Sequence, residues 1–174
     1  MIKEKFKFIS LFFILLILIV PKFNNASEIL LYADNISYDE EENIIARGNA
    51  KIFKDNQLIV SDLIIYEKRN KKIILPTNFT LKDEKNNYFN GTSGTFSQDL
   101  GYGEFENVKI RLNDGSRIIG VKGKRDGHID IISKGVYSPC KSRIKIGNFI
   151  CPAWQLEGEK IIHDNKNLFL YQKH

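Results

Sequence analysis

Two cysteines, two histidines and two aspartates in matching phrases are the residues of this chain whose spacing could do chemistry. Cys140 and Cys151 have ten residues between them, in a largely polar loop. In an exported protein that spacing could close a hairpin as a disulfide. Metal binding is the competing use, with His128 and His163 as further ligands, but neither histidine stands at a short zinc-like spacing from a cysteine. Asp34 and Asp62 recur in related phrases, whereas other acids gather in runs such as Glu40-Glu41-Glu42, as solvated loops do. Spacing alone places no acid pair for acid–base work. The residues therefore point to no catalytic set, no metal and no cofactor.

The elements that must position these residues announce themselves through a repeat. Leu30-Leu-Tyr-Ala-Asp-Asn-Ile-Ser-Tyr-Asp39 returns as Leu58-Ile-Val-Ser-Asp-Leu-Ile-Ile-Tyr-Glu67, offset by 28 residues. Leu30/Leu58, Asp34/Asp62, Ile36/Ile64 and Tyr38/Tyr66 coincide. Phe96 falls 30 residues after Tyr66, and Ile161 again stands two residues before a ring, His163, with an acid after it. A period of this size is one supersecondary unit copied in tandem, and such units bury their apolar faces by stacking.

Residues 1–26 read as a secretory signal peptide. Lys3, Lys5 and Lys7 precede a 13-residue apolar block, Phe8–Val20, which falls short of the ~20 residues a membrane-spanning helix needs. Pro21 ends the block, and Asn24-Asn25-Ala26 offers a cleavage site. Export from the cytoplasm is expected, with one domain over 27–174. The segment 1–26 carries four Lys and one Glu, so the remainder has 26 − 4 = 22 basic and 21 − 1 = 20 acidic residues, a net charge of only +2. The basic clusters Lys68-Arg69-Asn70-Lys71-Lys72 and Lys122-Gly-Lys-Arg125 lie between apolar segments, where solvated turns fall. Nucleic-acid binding, which wants a basic stripe with aromatic platforms, is not supported.

Apolar residues recur at every second position throughout, as in strands. Ala46, Gly48, Ala50 and Ile52 alternate with Arg47, Asn49 and Lys51, and turn signals intervene at 39–43, 54–56, 68–70, 82–87, 113–115 and 125–127. The reading is all-β, about a dozen short antiparallel strands stacked as an open β-jellyroll, with a parallel β-helix or solenoid as the alternative. Pattern alone makes the repeated Ile and Tyr core residues of a sheet.

The phrase Ala33-Asp-Asn-Ile-Ser-Tyr-Asp39, its looser copy, and Ala46-Arg-Gly-Asn-Ala50 between them resemble the OstA-like N-terminal domain shared by the lipopolysaccharide-transport proteins. Gly135-Val-Tyr-Ser-Pro-Cys140, Pro152-Ala-Trp-Gln-Leu156 and Ile161-Ile-His-Asp164 are similar to the end of that domain in the LptD assembly proteins. The resemblance implies a periplasmic jellyroll, associated with the outer membrane, that takes lipopolysaccharide from a bridge of similar jellyrolls by edge-strand pairing and passes it to an outer-membrane barrel. An apolar slot between the layers would hold the acyl chains at roughly 0.8 kcal/mol per buried methylene. By strand parity its lining would be Ile36, Tyr38, Ala50, Ile52, Leu58, Val60, Ile64, Tyr66, Phe96, Val108 and Ile110, with Arg47 and Lys51 facing out. In the family, cysteines of this domain can bond to cysteines of the barrel. No barrel follows here before His174, so the chain is expected to be a fragment of a longer protein or a module working with a separate barrel, and Cys140 and Cys151 either pair or await a partner. A surface solenoid with a filled core and no slot is the alternative function, and an enzyme is the least supported reading.

Overall fold

The computed structural model describes residues 28–139 and 155–174, together with the backbone of 145–146 and 149–150. The chain order is β1 (Leu30–Tyr32), β2 (Asn35–Tyr38), β3 (Ile44–Lys54), β4 (Gln57–Glu67), β5 (Lys72–Leu75), β6 (Phe79–Lys82), β7 (Tyr88–Gly91) and β8 (Ser93–Ser97). It continues with β9 (Tyr102–Arg111), β10 (Arg117–Asp126), β11 (Ile129–Ser138), β12 (Lys145–Ile146), β13 (Phe149–Ile150), β14 (Leu156–Asp164) and β15 (Phe169–Lys173). Every pairing among them is antiparallel, which rules out the parallel β-helix. All but β12 and β13 join in one sheet.

That sheet is folded along a line crossing its middle. β5 and β6 are one rung broken at 76–78: β5 pairs with the end of β4 and β6 with its beginning. Strands β7 and β8, broken at Thr92, lie along β9 in the same way. The long strands turn at the same level without breaking, through left-handed residues: Gly48 (φ 76) and Asn49 (φ 45) in β3, Asn107 (φ 52) in β9 and Lys134 (φ 47) in β11. A side chain at Gly48 would also meet Asp34, whose Oδ2 would lie 2.6 Å from the added Cβ. Residues of this kind are how a bulged strand bends.

The bend makes two layers. The 10 residues of β9 would span about 33 Å if straight. Yet Arg125, in register with Gly103 near the start of β9, lies 4.2 Å over the ring of Phe89, which is in register with Ile110 near its end. One layer holds β1, β6 and β7 with the adjoining halves of the long strands. The other holds β2, β5, β8 and β15 with the remaining halves. Between them Phe96 stacks on Phe105 at 5.6 Å, and Phe79 meets Phe96 edge-on at 5.7 Å. Gly103 is required there, because a Cβ would lie 2.3 Å from Phe96 Cδ1.

A single inward parity does not survive the bend. In β3 the buried positions Ala46, Ala50 and Ile52 keep even numbers, but the register with β4 shifts between Arg47 and Ala50. In β4 the buried residues are therefore Ile59 and Ser61 before the shift and Ile64 after it. Leu58 and Val60, which parity assigned inward, stand on the strand face opposite Ile59 and are only half-buried. Lys122-Gly-Lys-Arg125 is no solvated turn either: it lies within β10, where Gly123 and Arg125 point inward and are buried.

Candidate functional site

The ring positions of the repeat lie on one row across the second layer. Antiparallel register carries it from Tyr38 through Ile44, Tyr66, Ile73 and Phe96 to Gly103. It continues through Arg125, Asp130 and His163 to Leu170. Residues so aligned face the same side. The repeat is thus a record of stacking, each copy adding two strands to the same face.

The residues expected to line a slot are spread across three environments. Ala50, Ile52, Ile64, Phe96, Val108 and Ile110 are buried in the core, and Tyr66 packs against it. Ile36 and Tyr38 belong to β2, which has β3 on one side only, and are 47% and 64% exposed. Leu58 and Val60 are the half-buried pair noted above. Cys140 and Cys151 lie outside the described residues, as does the segment 1–26.

An apolar cleft of about 340 Å³ opens between the layers at the end of the stack formed by the N-terminal strands. Ile29, Leu31, Ile44, Ile52 and Tyr66 supply its walls, and Glu28 and Gln98 its polar rim. Two of the expected lining residues, Ile52 and Tyr66, are among them. Exposed apolar side chains surround this end: Leu30, Tyr32, Ile36, Tyr38 and Phe53. The combination suits an apolar guest whose polar end stays in water.

Further along the row the chemistry changes. Arg125 Nε donates to Asp130 Oδ1 at 2.9 Å, and Arg125 Nη2 lies 3.9 Å from Asp83 Oδ2 in the opposite layer. His163 Nδ1 stands 3.7 Å from Asp130 Oδ2, beyond the usual hydrogen-bond distance. Arg125, Asp130 and His163 are 5%, 1% and 6% exposed. Burial by itself pushes the Asp130 carboxyl upward, but His163 and then Arg125 outweigh it and hold the carboxyl below its usual range. The β6–β7 turn extends the polar network: Asn87 Nδ2 donates to Asp83 Oδ2 at 2.9 Å and to Asn165 Oδ1 at 3.3 Å. Asn165 Nδ2 returns to Asp83 Oδ2 at 3.3 Å, and Lys85 Nζ donates to the Asn165 carbonyl. These bonds tie the two layers together opposite the bend.

Sequence reasoning did not find this cluster. Its signals were the alternation hidden in Lys122-Gly-Lys-Arg125 and the lone acid at Asp130 among Ile129, Ile131 and Ile132. The two histidines differ in setting. His128 is exposed with Nε2 3.9 Å from Asp164 Oδ1, while His163 is enclosed.

No protein-family model matches the chain, and no curated protein does. Among solved structures it is similar to LptH of Pseudomonas aeruginosa, described as the LptA homologous periplasmic component of the conserved lipopolysaccharide transport device. The two share 11% identity over 84% of this chain and 82% of that one, with a TM-score of 0.46.

Proposed function

We infer that this protein is a periplasmic binding module for lipopolysaccharide assembly, which holds acyl chains between its two layers and catalyses no reaction. The single observation that carries the reading is the apolar cleft at one end of the stack, walled by Ile29, Leu31, Ile44, Ile52 and Tyr66 and set beside β1 and β2. Each methylene of an acyl chain drawn into such a cleft contributes roughly 0.8 kcal/mol. The OstA-like resemblance of the opening phrase supplies the ligand class.

The same reading assigns the partners. β1 and β2 at one end and β15 at the other each leave a strand edge unpaired among the described residues. Such edges accept another chain by strand addition, and a neighbouring jellyroll so added would prolong the cleft. An outer-membrane barrel, joined to this chain or separate from it, is the assigned acceptor, and Cys140 and Cys151 either bond to each other or to that partner. Export by residues 1–26 would bring the domain to the periplasm.

Photo-crosslinking with the side chain replaced at Ile44 or Tyr66 tests the reading, with Arg47 and Lys51 as outward controls. Lipopolysaccharide adducts at Ile44 and Tyr66 but not at the controls are expected. Adducts confined to Arg47 and Lys51 would remove the reading. A surface module without a lipid slot is the second reading, favoured by how completely the centre is filled: Phe89, Ile73, Leu75, Leu81 and Ile118 are fully buried. It expects no adduct at any of the four positions.

A further inference from the structure

The row of residues that begins as apolar cleft wall ends as buried charge, and the two parts are held by different forces. From Ile44 to Phe96 the layers meet chiefly through aliphatic and aromatic side chains, with the buried Lys54 and its attraction for Asp99 as a polar exception. Such contacts are individually weak and non-directional, so an acyl chain that parts them replaces what it displaces with contacts of the same kind. Beyond Gly103 the layers are joined by Arg125, Asp130, His163 and Asp83. An acyl chain reaching these groups would separate charges already withdrawn from water and offer them no hydrogen bond. Three atoms of the cluster, Arg125 Nη2, Asp130 Oδ2 and His163 Nδ1, are buried without a hydrogen-bond partner, so the site is polar beyond what its own pairing satisfies.

We propose that Arg125, Asp130 and His163 form a stop that sets how far an acyl chain penetrates from the N-terminal cleft, and thereby which chain lengths the protein prefers. The cluster is a specificity determinant. From β3, which carries Ile44, to β10, which carries Arg125, the row crosses β4, β5, β8 and β9, five steps of about 4.8 Å or roughly 24 Å. The stop therefore lies about that far from the mouth, and Leu170 stands behind it on the same row. This rests on the reading of the cleft as an acyl-chain site.

A series of fatty acids from 14 to 26 carbons, titrated against the protein of residues 27–174, tests it (~0.8 kcal/mol per methylene, about 4-fold in affinity for each one buried). In the unaltered protein affinity should climb with length and then level off. In the triple variant Arg125→Met, Asp130→Leu, His163→Phe the climb should continue to longer chains. Replacing a buried charge cluster with apolar residues of similar volume is usually tolerated, and circular dichroism checks that the variant folds. A second measurement needs no change to the cluster. A photoreactive residue at Tyr66 should label a bound 26-carbon chain, and one at Ile132, buried on β11 one strand beyond Arg125, should not. The same levelling point in both proteins, or equal labelling at Tyr66 and Ile132, overturns the stop while leaving the cleft as an acyl-chain site. Failure of every fatty acid to bind either protein overturns both.

Discussion

Arg125 and Asp130 meet side by side on adjacent strands, Nε to Oδ1 at 2.9 Å, inside a sandwich whose buried residues are mostly apolar. Each also reaches a second group: Arg125 lies over the Phe89 ring and toward Asp83, and Asp130 lies beside His163. Removing one partner leaves the other charged and buried with only its longer second contact to compensate it. We expect Asp130→Ala to cost about 3–5 kcal/mol of unfolding free energy. The double change Arg125→Met with Asp130→Leu should recover most of that. Urea denaturation of the three variants measures it, and a double variant as unstable as the single one would refute the account.

The pH dependence follows from the same carboxylate. A carboxyl held below its ordinary value of 3.8 in the folded state contributes stability that is complete above that value and lost as pH falls through the depressed one. Asp39, Asp99 and Asp164 shift in the same direction, each chiefly through hydrogen bonds within its own turn, from Asn43, Ser97 and Asn167. The contribution of these carboxylates to unfolding free energy should therefore be complete above about pH 4 and fall below it. Asp130→Asn should flatten part of that fall, measurable by urea titration at a series of pH values.

Gly103 is the shallowest point of the inward row, and the Phe96 ring fills the space a side chain would take. Gly103→Ala should destabilise the protein by about 1–3 kcal/mol, as overpacking does. Combining it with Phe96→Leu should cost less than the sum of the two single changes. Thermal denaturation of the set decides this, and simple additivity would contradict it.

Ile36 and Ile64 hold the same place in the repeated phrase but opposite places in the molecule. Ile64 is fully buried, and truncating it to Ala should cost about 2–5 kcal/mol. Ile36, 47% exposed on β2, should cost less than about 1 kcal/mol on the same change. Equal losses in chemical denaturation would mean that the first copy is covered in solution, as strand addition at that edge would make it.

Why Ile36 and Ile64 look alike in sequence and differ in space also explains how much of the fold was legible. Side-chain alternation and turn residues are local, and they marked the strands and the antiparallel stack. The spacing of Tyr38, Tyr66, Phe96 and His163 was legible because each copy must return to one row. Position within the stack was not, since a local phrase does not say whether another rung lies outside it. Nor was the parity change in β4 legible, because its cause sits in the neighbouring strand, at Gly48 and Asn49. The charge cluster was hidden for a related reason: Arg125 ends a basic run that resembles a turn, and its partners Asp83, Asp130 and His163 are close only after the layers fold over.

The bend line carries one more consequence, for how such a chain can change length. Asn49, Asn78 and Asn107 lie on it at intervals of 29 residues, each interval comprising one outward and one returning strand. Loss or gain of a single strand would reverse the direction of everything downstream and turn its buried face to water. Loss or gain of a whole interval would preserve both, adding or removing about 9.6 Å of depth. Inheritance can thus adjust the reach of this scaffold only in paired steps, and relatives of different capacity should differ in length by multiples near 29 residues.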